Sequence, residues 1–498
     1  MQEAAAIPPA QAPQGQKSKA KQITRDWFWW LPPRLRNSPY WLIAIVIHLV
    51  LFLLFTIWIV FDVYRPGALD GSFYDGGGQE GVDVQPPPAS QQVAQQLTNQ
   101  AATTTQNFTQ LAQAISTVGV GEWSVAAPTE VASAVSNVAS SVSGAGKGIP
   151  GAYTGRIGSG RRGLLSKKGG TSNVETSVNN ALRWLKNHQN DDGSWGDQWK
   201  PSMTGLAVLC FLAHGDVQGS PEYGSTVEKG VNWLIQNGKD HGGKIATPGG
   251  KAGYQHAIAA LALAENYAMA PTVPDLEEAT IKALSLIVRS QSGAGDWAYE
   301  YSGEGDTSIA GWNMQALKAG QLGQLPVEGI DNALQQSAKM LRSRHSSGNF
   351  LYKVGGHESW ALRGVGIYNL QLILDKVEDG KKEWMRTTEV TGALEAMMKD
   401  KRAEFDWDKT TGWVLYGWYY NTYASFFAEG HGQNWTWWNA QFRDPLIRQQ
   451  QKDGHWGLPP GEVGYMNEVM KRNTDSDVYA TALCCLMLQV YWRHLTTG

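Results

Sequence analysis

The chain has 498 residues, and its 42 Lys and Arg residues against 45 Asp and Glu residues give a formal net charge of −3. This near balance excludes a net basic protein that binds nucleic acid through its overall charge. The three cysteines, Cys210, Cys484 and Cys485, lie in apolar segments. Their placement excludes a disulfide framework and predicts buried core thiols.

The first predicted element is a transmembrane helix at residues 41–61, which follows a cytoplasmic tail and interfacial segment at residues 1–40. The helix contains no Asp, Glu, Lys or Arg, and at 1.5 Å per residue it is about 30 Å long, the thickness of a hydrocarbon core. Basic residues precede it and acidic residues follow it. The positive-inside rule therefore predicts a single-pass protein of the cell inner membrane, with a cytoplasmic N-terminus and a periplasmic or extracytoplasmic C-terminal domain.

Residues 62–172 are predicted to form a flexible, low-complexity linker, because they are rich in Gly, Gln, Ala, Ser and Thr. Too few large apolar side chains occur there to offset the entropy of ordering the chain. Such a linker would let the following domain reach partners in the cell envelope around its anchor.

Residues 173–498 repeat a pair of helical segments six times, with about 50 residues in each unit. The first segment of each pair is amphipathic, whereas the second is apolar or small nearly all round and must be enclosed. Exposed and buried helices in alternation predict two concentric rings, an all-α (α/α)6 toroid of six helical hairpins. The alternative is an open superhelix of hairpins, which would lack a central cavity.

A short motif ends the first helix of several pairs, as in "WLKNHQNDDGSWG" at residues 184–196. A Gln at the helix end can hydrogen bond to unpaired backbone groups, Gly takes the turn, and Trp packs over the junction. The motif is therefore predicted to join neighbouring helix pairs. We assign three copies by their Gln and Trp residues: Gln189 with Trp195, Gln291 with Trp297, and Gln451 with Trp456.

These Gln and Gly-x-Trp motifs resemble the repeats shared by squalene–hopene cyclases, oxidosqualene cyclases and the β subunits of protein prenyltransferases, over residues 173–494. The chain looks most like a membrane-tethered bacterial member of this prenyltransferase/squalene-cyclase repeat family. The resemblance implies the α/α toroid of the terpenoid cyclases. It covers one helical barrel, whereas squalene-type cyclases enclose their substrate between two.

The resembling cyclases protonate an alkene with an aspartic acid in an Asp-x-Asp-Asp-Thr-Ala segment. Asp475 and Asp477 match the first two aspartates, with Asp477 at the position of the proton donor, but Val478 replaces the third. The resemblance therefore implies Asp477 as a catalytic acid and Asp475 as the neighbour that tunes it.

The starts of the inner helices of a toroid gather at one mouth, where their positive dipole ends point. Asp306, His357 and Glu358 fall at such starts and are predicted to join the two aspartates as site residues. Helix capping is the alternative role for Asp306. Protein prenyltransferases hold zinc with an Asp-x-Cys pair and a later His, but Ser308 stands in place of the Cys, so we predict no metal and no cofactor.

Three functions fit these features. The first is acid-catalysed, terpene cyclase-like chemistry on a polyprenoid or related lipid. The second is a non-catalytic binding or scaffold toroid with a protein partner in the envelope. The third is a polysaccharide-active toroid, which needs two carboxyl groups about 5–10 Å apart. The sequence leaves open whether the protein is an enzyme.

A dense set of aromatic residues after residue 297 is expected to pack helix junctions or to line a cavity for an apolar ligand.

Overall fold

The computed structural model of the protein describes residues 149–157, 160–248, 250–408, 413–462 and 474–494. All of them belong to one compact unit. The predicted tail and transmembrane helix, residues 1–61, lie outside the described residues, as does most of the predicted linker. Within the described part of the chain, no helix has both the length and the apolar character needed to cross a bilayer.

The described residues form helices with short connections. In chain order these are α1 Gly160–Lys167, α2 Ser172–Asn187, α3 Lys200–His214, α4 Gly224–Asp240, α5 Ala252–Met269, α6 Leu276–Arg289, α7 Thr307–Leu322, α8 Ile330–Ser343, α9 Trp360–Ile373, α10 Thr388–Lys399, α11 Val414–Phe427, α12 Asn434–Arg448, α13 Thr474–Leu488 and α14 Val490–Arg493. Short 3₁₀ turns occur at Gly151–Arg156, Glu383–Arg386 and Lys401–Ala403.

Two small antiparallel sheets complete the described structure. Strands β1 His345–Ser346, β2 Asn349–Leu351 and β3 Glu358–Ser359 pair in that order, with Phe350 opposite both His345 and Ser359. Strands β4 Val377–Glu378 and β5 Lys381–Lys382 form a separate hairpin. The first sheet matters for function, because it carries side chains to the N-terminal end of α9.

The apolar helices form a closed cycle. These inner helices are α3, α5, α7, α9, α11 and α13, and each contacts the next in this order, while α13 also contacts α3. Their sequences are rich in Ala, Leu and aromatic residues, and almost every residue of α5 is buried. A helix that is apolar all round must be enclosed on every side. The described helices therefore form an α/α toroid, and the open superhelix is excluded because the last inner helix returns to the first.

The amphipathic helices pack outside this cycle. These outer helices are α2, α4, α6, α8, α10 and α12, and most of them contact two neighbouring inner helices. In α8 the buried residues Ala333, Leu334, Ala338 and Leu341 recur at helical spacing and form one stripe, while the opposite face is exposed. The alternation of amphipathic and apolar helices predicted from the sequence is thus the alternation of outer and inner layers.

The structure differs from the predicted linker at its C-terminal end. The linker was predicted to extend to residue 172, but the 3₁₀ turn Gly151–Arg156 contains the buried residues Tyr153 and Arg156 and contacts α14. Leu165 of α1 is buried in the same core. A few large side chains, Tyr153, Leu165 and the Arg156 guanidinium, are enough to order this segment, although its composition is rich in Gly and Ser.

The Gln and Trp motifs join neighbouring outer helices as predicted. The Gln189 amide donates to the carbonyls of Gly193 and Thr226, the latter on α4, and the Trp195 indole donates to the Leu185 carbonyl. The Leu185 carbonyl lies in the last turn of α2, where a helix leaves its carbonyls unpaired, whereas Thr226 lies in the first turn of α4.

The second motif repeats this pattern between α6 and α8. The Gln291 amide donates to the carbonyls of Gly295 and Ala333 at 3.1 and 2.9 Å, and the Trp297 indole donates to Ile287. Because the same two kinds of bond occur at both junctions, the role of the motif is to hold neighbouring outer helices together.

The third motif shows that one assignment was wrong by one residue. The Gln450 amide, and not that of Gln451, donates to the carbonyls of Ser177 on α2 and Gly454. In all three copies the Gln precedes the Trp by six residues, so Gln450 is the counterpart of Gln189 and Gln291. This bond joins the last repeat to the first. Gly454 has φ 106°, and a Cβ there would lie 2.4 Å from the Asn180 carbonyl oxygen, so the close contact requires glycine.

Candidate functional site

A cavity of about 470 Å³ opens where the N-terminal ends of the inner helices meet. Its volume falls within the usual range for small-molecule sites. Every inner helix contributes side chains from its first turns or from its N-cap. The described lining residues are Trp199, Ser202, Met203, Leu206, Lys251, Tyr254, Gln255, Ile258, Tyr299, Ser308, Trp312, Tyr352, His357, Ser359, Ala361, Leu362, Trp413, Tyr416 and Tyr479.

Most of this wall is aliphatic or aromatic. Leu206, Ile258 and Leu362 come from three different inner helices, and the Trp312 ring stacks on Tyr419 with ring centroids 5.5 Å apart. Among the lining residues that the structure describes there is no Asp or Glu. The wall is therefore suited to an apolar ligand rather than to a polar polymer.

One side of the cavity carries hydroxyl groups centred on Ser308. The Tyr254 hydroxyl donates to Ser308 Oγ at 2.8 Å, and the Tyr416 hydroxyl lies 2.6 Å from the same oxygen. These three side chains come from the first turns of α5, α7 and α11. The cycle of inner helices thus brings together hydroxyls that are up to 162 residues apart in the sequence.

A second chain of hydroxyls leads to Asp306. The Tyr352 hydroxyl donates to Asp306 Oδ2 at 2.8 Å and lies 2.6 Å from the Tyr299 hydroxyl. The Tyr254 and Tyr299 rings are 5.4 Å apart between centroids, so the two chains of hydroxyls are neighbours. We call Tyr254, Tyr299, Ser308, Tyr352 and Tyr416 the hydroxyl cluster.

The phenols of this cluster are hydrogen-bonding groups rather than bases. Burial raises the pKa of Tyr254 well above its ordinary value of 10.0, and the negative charge of Asp306 raises it further. Burial likewise raises the pKa of Tyr352 and Tyr416. At neutral pH each phenol keeps its proton and acts as one donor and as an acceptor.

A buried carboxyl group lies behind the cavity wall, next to the start of α11. Glu462 accepts hydrogen bonds from the Leu415 amide at 2.7 Å and from the Tyr479 hydroxyl at 3.2 Å, and Tyr479 lines the cavity. Burial raises the pKa of Glu462 to about 8, although the two hydrogen bonds oppose this shift. Glu462 is therefore largely protonated at neutral pH.

The predicted aspartates of α13 do not line the cavity. The Asp475 carboxylate is fully buried and accepts from the backbone amides of Asp197 and Gln198 at 2.8 and 3.0 Å. It thereby joins α13 to the loop that follows the first Trp motif. Asp477 is half-buried on the same helix. Both aspartates lie in the first turn of α13, and the structure does not test their predicted catalytic roles.

Asp306 has the capping role that we considered as its alternative. Its Oδ1 accepts from the amides of Ser308 and Ile309 at 2.8 and 3.0 Å at the start of α7. Its second oxygen holds Tyr352, as described above. Asp306 therefore supports the hydroxyl cluster from behind the cavity wall.

His357 and Glu358 lie next to each other but face different surroundings. His357 lines the cavity, and its ring stacks on Tyr352 with centroids 5.5 Å apart. The Glu358 carboxylate is exposed and accepts from Ser346 and Asn349 within the first sheet, because successive side chains of a strand point to opposite faces. Of the five predicted site residues, only His357 lines the cavity.

The sequence analysis missed the hydroxyl cluster and Glu462. Tyr254, Ser308 and Tyr416 share one signal, a hydroxyl residue within the first turns of an apolar helix, which is visible once the inner helices are aligned. Glu462 lies outside every repeat motif, so nothing in the sequence marks it. Within the described residues, no group of three or more His, Cys, Asp or Glu side chains is placed to hold a metal ion.

No family model matches the sequence. A squalene–hopene cyclase from Zymomonas mobilis is 32% identical over 81 residues, which span 13% of this chain and 12% of that protein. The chain thus aligns with about an eighth of the length of this relative.

Two solved structures are similar to this chain over about two thirds of its length. An α-1,6-mannanase from Salegentibacter covers 64% of this chain and 98% of its own, with 11% identity and a TM-score of 0.46. A type II terpene cyclase from Scytonema covers 64% and 98%, with 14% identity and a TM-score of 0.39.

The class of protein follows from the closed cycle of helices, the repeated Gln and Trp motifs and the sequence match. The chain is an α/α toroid protein with repeats like those of the squalene cyclases. The predicted resemblance to the squalene cyclases is confirmed in the toroid fold and in this local sequence match.

Proposed function

We propose that this chain is a membrane-anchored (α/α)6 toroid that binds a polyprenoid or a related lipid chain in the cavity between its inner helices. The observation that supports this proposal is the aliphatic and aromatic wall of about 470 Å³, contributed by every inner helix. The predicted transmembrane helix at residues 41–61 would hold the ring near membrane lipids, with residues 62–148 as its tether, on the extracytoplasmic side of the inner membrane.

The affinity for such a ligand would come from burial. Each methylene group that moves from water into an apolar site contributes roughly 0.8 kcal/mol. Leu206, Ile258 and Leu362 offer aliphatic contacts, and the faces of Trp312 and Tyr416 suit the double bonds of a prenyl chain. A scaffold function alone would leave this cavity without a role, and a protein partner in the envelope stays a prediction.

The proposal is tested by filling the cavity. In the full chain, purified in detergent micelles, Ile258→Trp is expected to weaken the binding of geranylgeraniol at least tenfold, because the larger ring occupies space that the ligand needs. Val377→Trp is the matched control, since Val377 is exposed on β4. Binding is measured by equilibrium dialysis of the radiolabelled alcohol. Equal affinities of both variants, or no binding by the unaltered protein, would contradict the proposal.

Acid chemistry on the bound chain is a second candidate, which the position of Glu462 favours. A carboxyl group that is protonated at neutral pH and hydrogen bonded to a phenol in the cavity wall is a proton source. In this route the Tyr479 hydroxyl hydrogen turns from Glu462 to a carbon–carbon double bond while the Glu462 proton moves to the Tyr479 oxygen, which leaves a carbocation on the ligand and a carboxylate on Glu462. Burial raises the pKa of Tyr479 well above 10.0, so the phenol can give up its proton only as Glu462 replaces it. The predicted acid Asp477 is the competing donor.

Three variants separate these donors. Glu462→Gln and Tyr479→Phe are expected to abolish conversion of a polyprenoid, measured by mass spectrometry of the extracted lipids, while Asp477→Asn retains it. The reverse pattern would assign the acid to Asp477. Unchanged conversion in all three variants would exclude both routes. A polysaccharide-active toroid is not favoured, because the described wall offers no pair of carboxyl groups.

A further inference from the structure

We propose that the hydroxyl cluster recognises an alcohol group on the ligand, so that the cavity selects a lipid chain with a terminal hydroxyl over the same chain without one or with a phosphate. This inference rests on the proposed binding of a lipid chain. It adds the chemical identity of the polar end, which the apolar wall does not define.

On the Asp306 side of the cluster, every hydroxyl hydrogen has a partner within the protein. The Tyr352 hydrogen is committed, because Tyr352 donates to Asp306 Oδ2. The Tyr299 hydroxyl forms hydrogen bonds with both Tyr352 and Asp306, and its single hydrogen is used in one of these two contacts. A phenol has one hydrogen, so the Tyr299 oxygen is left with lone pairs alone. This side of the cluster offers the ligand an acceptor.

On the Ser308 side of the cluster, the hydroxyls of Tyr254, Ser308 and Tyr416 have three hydrogens between them. Tyr254 donates to Ser308 Oγ, and the 2.6 Å contact between Ser308 and Tyr416 uses one of their two hydrogens. Tyr416 also shares a hydrogen bond with Tyr420, in which Tyr420 is the donor because this bond lowers the pKa of Tyr416. The remaining hydrogen of the Ser308 and Tyr416 pair can reach the Ser308 carbonyl, which lies 3.4 Å from the Tyr416 hydroxyl. A contact of this length is weak. This side of the cluster therefore offers the ligand a donor.

An acceptor next to a donor complements an alcohol, which both donates and accepts. A hydrocarbon would leave these buried groups without partners, and this penalty produces the selectivity. A phosphate only accepts, so it would place its charge against the Tyr299 oxygen, near the Asp306 carboxylate that holds Tyr352.

Two nitrogen side chains in the wall make the phosphate the main competitor. Lys251 Nζ lies 5.8 Å from the centroid of the Tyr299 ring, and His357 stacks on Tyr352. Both residues precede inner helices and contact rings of the hydroxyl cluster, but neither belongs to the chains of hydroxyl hydrogen bonds. A phosphorylated ligand would be held by Lys251, and an alcohol by Tyr299 and Ser308, so the two possibilities depend on different residues.

The experiment compares three probes with one C20 chain, namely geranylgeraniol, the corresponding hydrocarbon and geranylgeranyl monophosphate. They compete for the full chain in detergent micelles. The unaltered protein is expected to bind the alcohol about tenfold more tightly than the hydrocarbon, the effect of one or two hydrogen bonds. Tyr299→Phe and Ser308→Ala are each expected to reduce this ratio to about threefold or less, with unchanged affinity for the hydrocarbon.

Tyr267→Phe is the matched control, because Tyr267 is a buried tyrosine near the other end of α5. It is expected to keep the tenfold ratio. If Ser308→Ala no longer binds the hydrocarbon, Tyr416→Phe replaces it, since it removes the hydrogen that Ser308 and Tyr416 share.

The remaining outcomes separate this inference from the proposed function. Tightest binding of the monophosphate, lost in Lys251→Gln, would show that the site recognises a phosphate and would overturn the inference. Equal binding of the three probes would also overturn it while the proposed lipid binding stands. No binding of any probe would contradict the proposed function itself.

Discussion

The two ends of the ring are built from the same helices but differ in what they bury. At the N-terminal ends of the inner helices lies the cavity, with its apolar wall and neutral hydroxyls. At their C-terminal ends Glu265 of α5 is fully buried between two arginines, Arg156 and Arg493. Eleven residues separate Tyr254 from Glu265, so the two regions are about 16 Å apart along α5. We call Arg156, Glu265 and Arg493 the charged base.

The charged base joins the chain segment that precedes the first repeat to the segment that follows the last repeat. Arg156 comes from the 3₁₀ turn before the first repeat, and Arg493 ends α14 after the last one. Their guanidinium groups lie 2.7 and 3.0 Å from the Glu265 carboxylate, and Arg156 Nε donates to the Arg493 carbonyl at 2.7 Å. Burial alone would raise the pKa of Glu265, but the two arginines outweigh it and hold the pKa below its ordinary value.

The two regions differ in how much the fold depends on them. Buried charges are tolerated only when partners are fixed in place, so the charged base requires a complete fold. The aliphatic groups and neutral hydroxyls of the cavity wall make no such demand, and they can change without unfolding the ring. Substitutions at the base should therefore change stability, and substitutions at the cavity should change ligand preference.

The largest effect is expected at Glu265. Glu265→Gln keeps the volume of the side chain but leaves two buried guanidinium groups without a counter-charge. We expect a loss of about 3–5 kcal/mol in the free energy of unfolding. Urea denaturation of the full chain, followed by circular dichroism, measures it. Glu278→Gln is the control, because its ion pair with Lys282 is exposed and should leave the midpoint unchanged. A midpoint for Glu265→Gln equal to that of the control would contradict the assigned role of the base.

A pH dependence gives the next effect. His256 directly follows Gln255 of the cavity wall, but it is fully buried: its Nδ1 accepts from the Ile245 amide, and its Nε2 lies 3.0 Å from the Ala283 carbonyl. Burial lowers its pKa from 6.5 to about 4. Between these values the unfolded chain binds a proton that the folded chain does not, so stability falls as pH falls from 6.5 to 4. The loss amounts to about 3 kcal/mol.

Urea midpoints at pH 7 and pH 4.5 measure this loss. His494, whose pKa is lowered well below 6.5 by burial and by the two arginines of the base, contributes in the same direction. In His256→Gln the difference between the two midpoints should therefore shrink without vanishing. An unchanged difference in this variant would show that His256 titrates normally in the folded state.

The sequence predicted the layers of the toroid well, because they depend on helical periodicity. It also predicted that Gln and Trp would join the repeats, since Trp195 and Trp297 make the same bond to a carbonyl ten residues earlier. The site was predicted poorly for a physical reason. Polar residues at the starts of inner helices have two uses, capping a helix and facing the cavity, and only three-dimensional packing separates Asp475, which binds loop amides, from Ser308, which lines the wall.

The third prediction concerns stability at the junction between the last repeat and the first, where Gln450 bonds to α2. Gln450→Ala removes two hydrogen bonds, to Ser177 and Gly454, and is expected to cost about 1–2 kcal/mol of the free energy of unfolding. Gln451→Ala is a control only one residue away. The Gln451 side chain is exposed, and its bond to the Gln449 carbonyl is 3.5 Å long, so no change is expected. A larger loss of stability in Gln451→Ala than in Gln450→Ala would show that Gln451 is the glutamine of the motif.

The smallest effect on stability is expected at the cavity, where the comparison between the two ends is sharpest. Ser308→Ala removes a hydroxyl that two phenols contact, yet the cavity can admit water to replace it. We therefore expect a loss below about 1 kcal/mol, in contrast to Glu265→Gln, where no solvent can reach the stranded charges. The same urea titration measures both variants. If Ser308→Ala destabilised the ring as much as Glu265→Gln, the hydroxyl cluster would be part of the structural core, and stability would not be confined to the charged base.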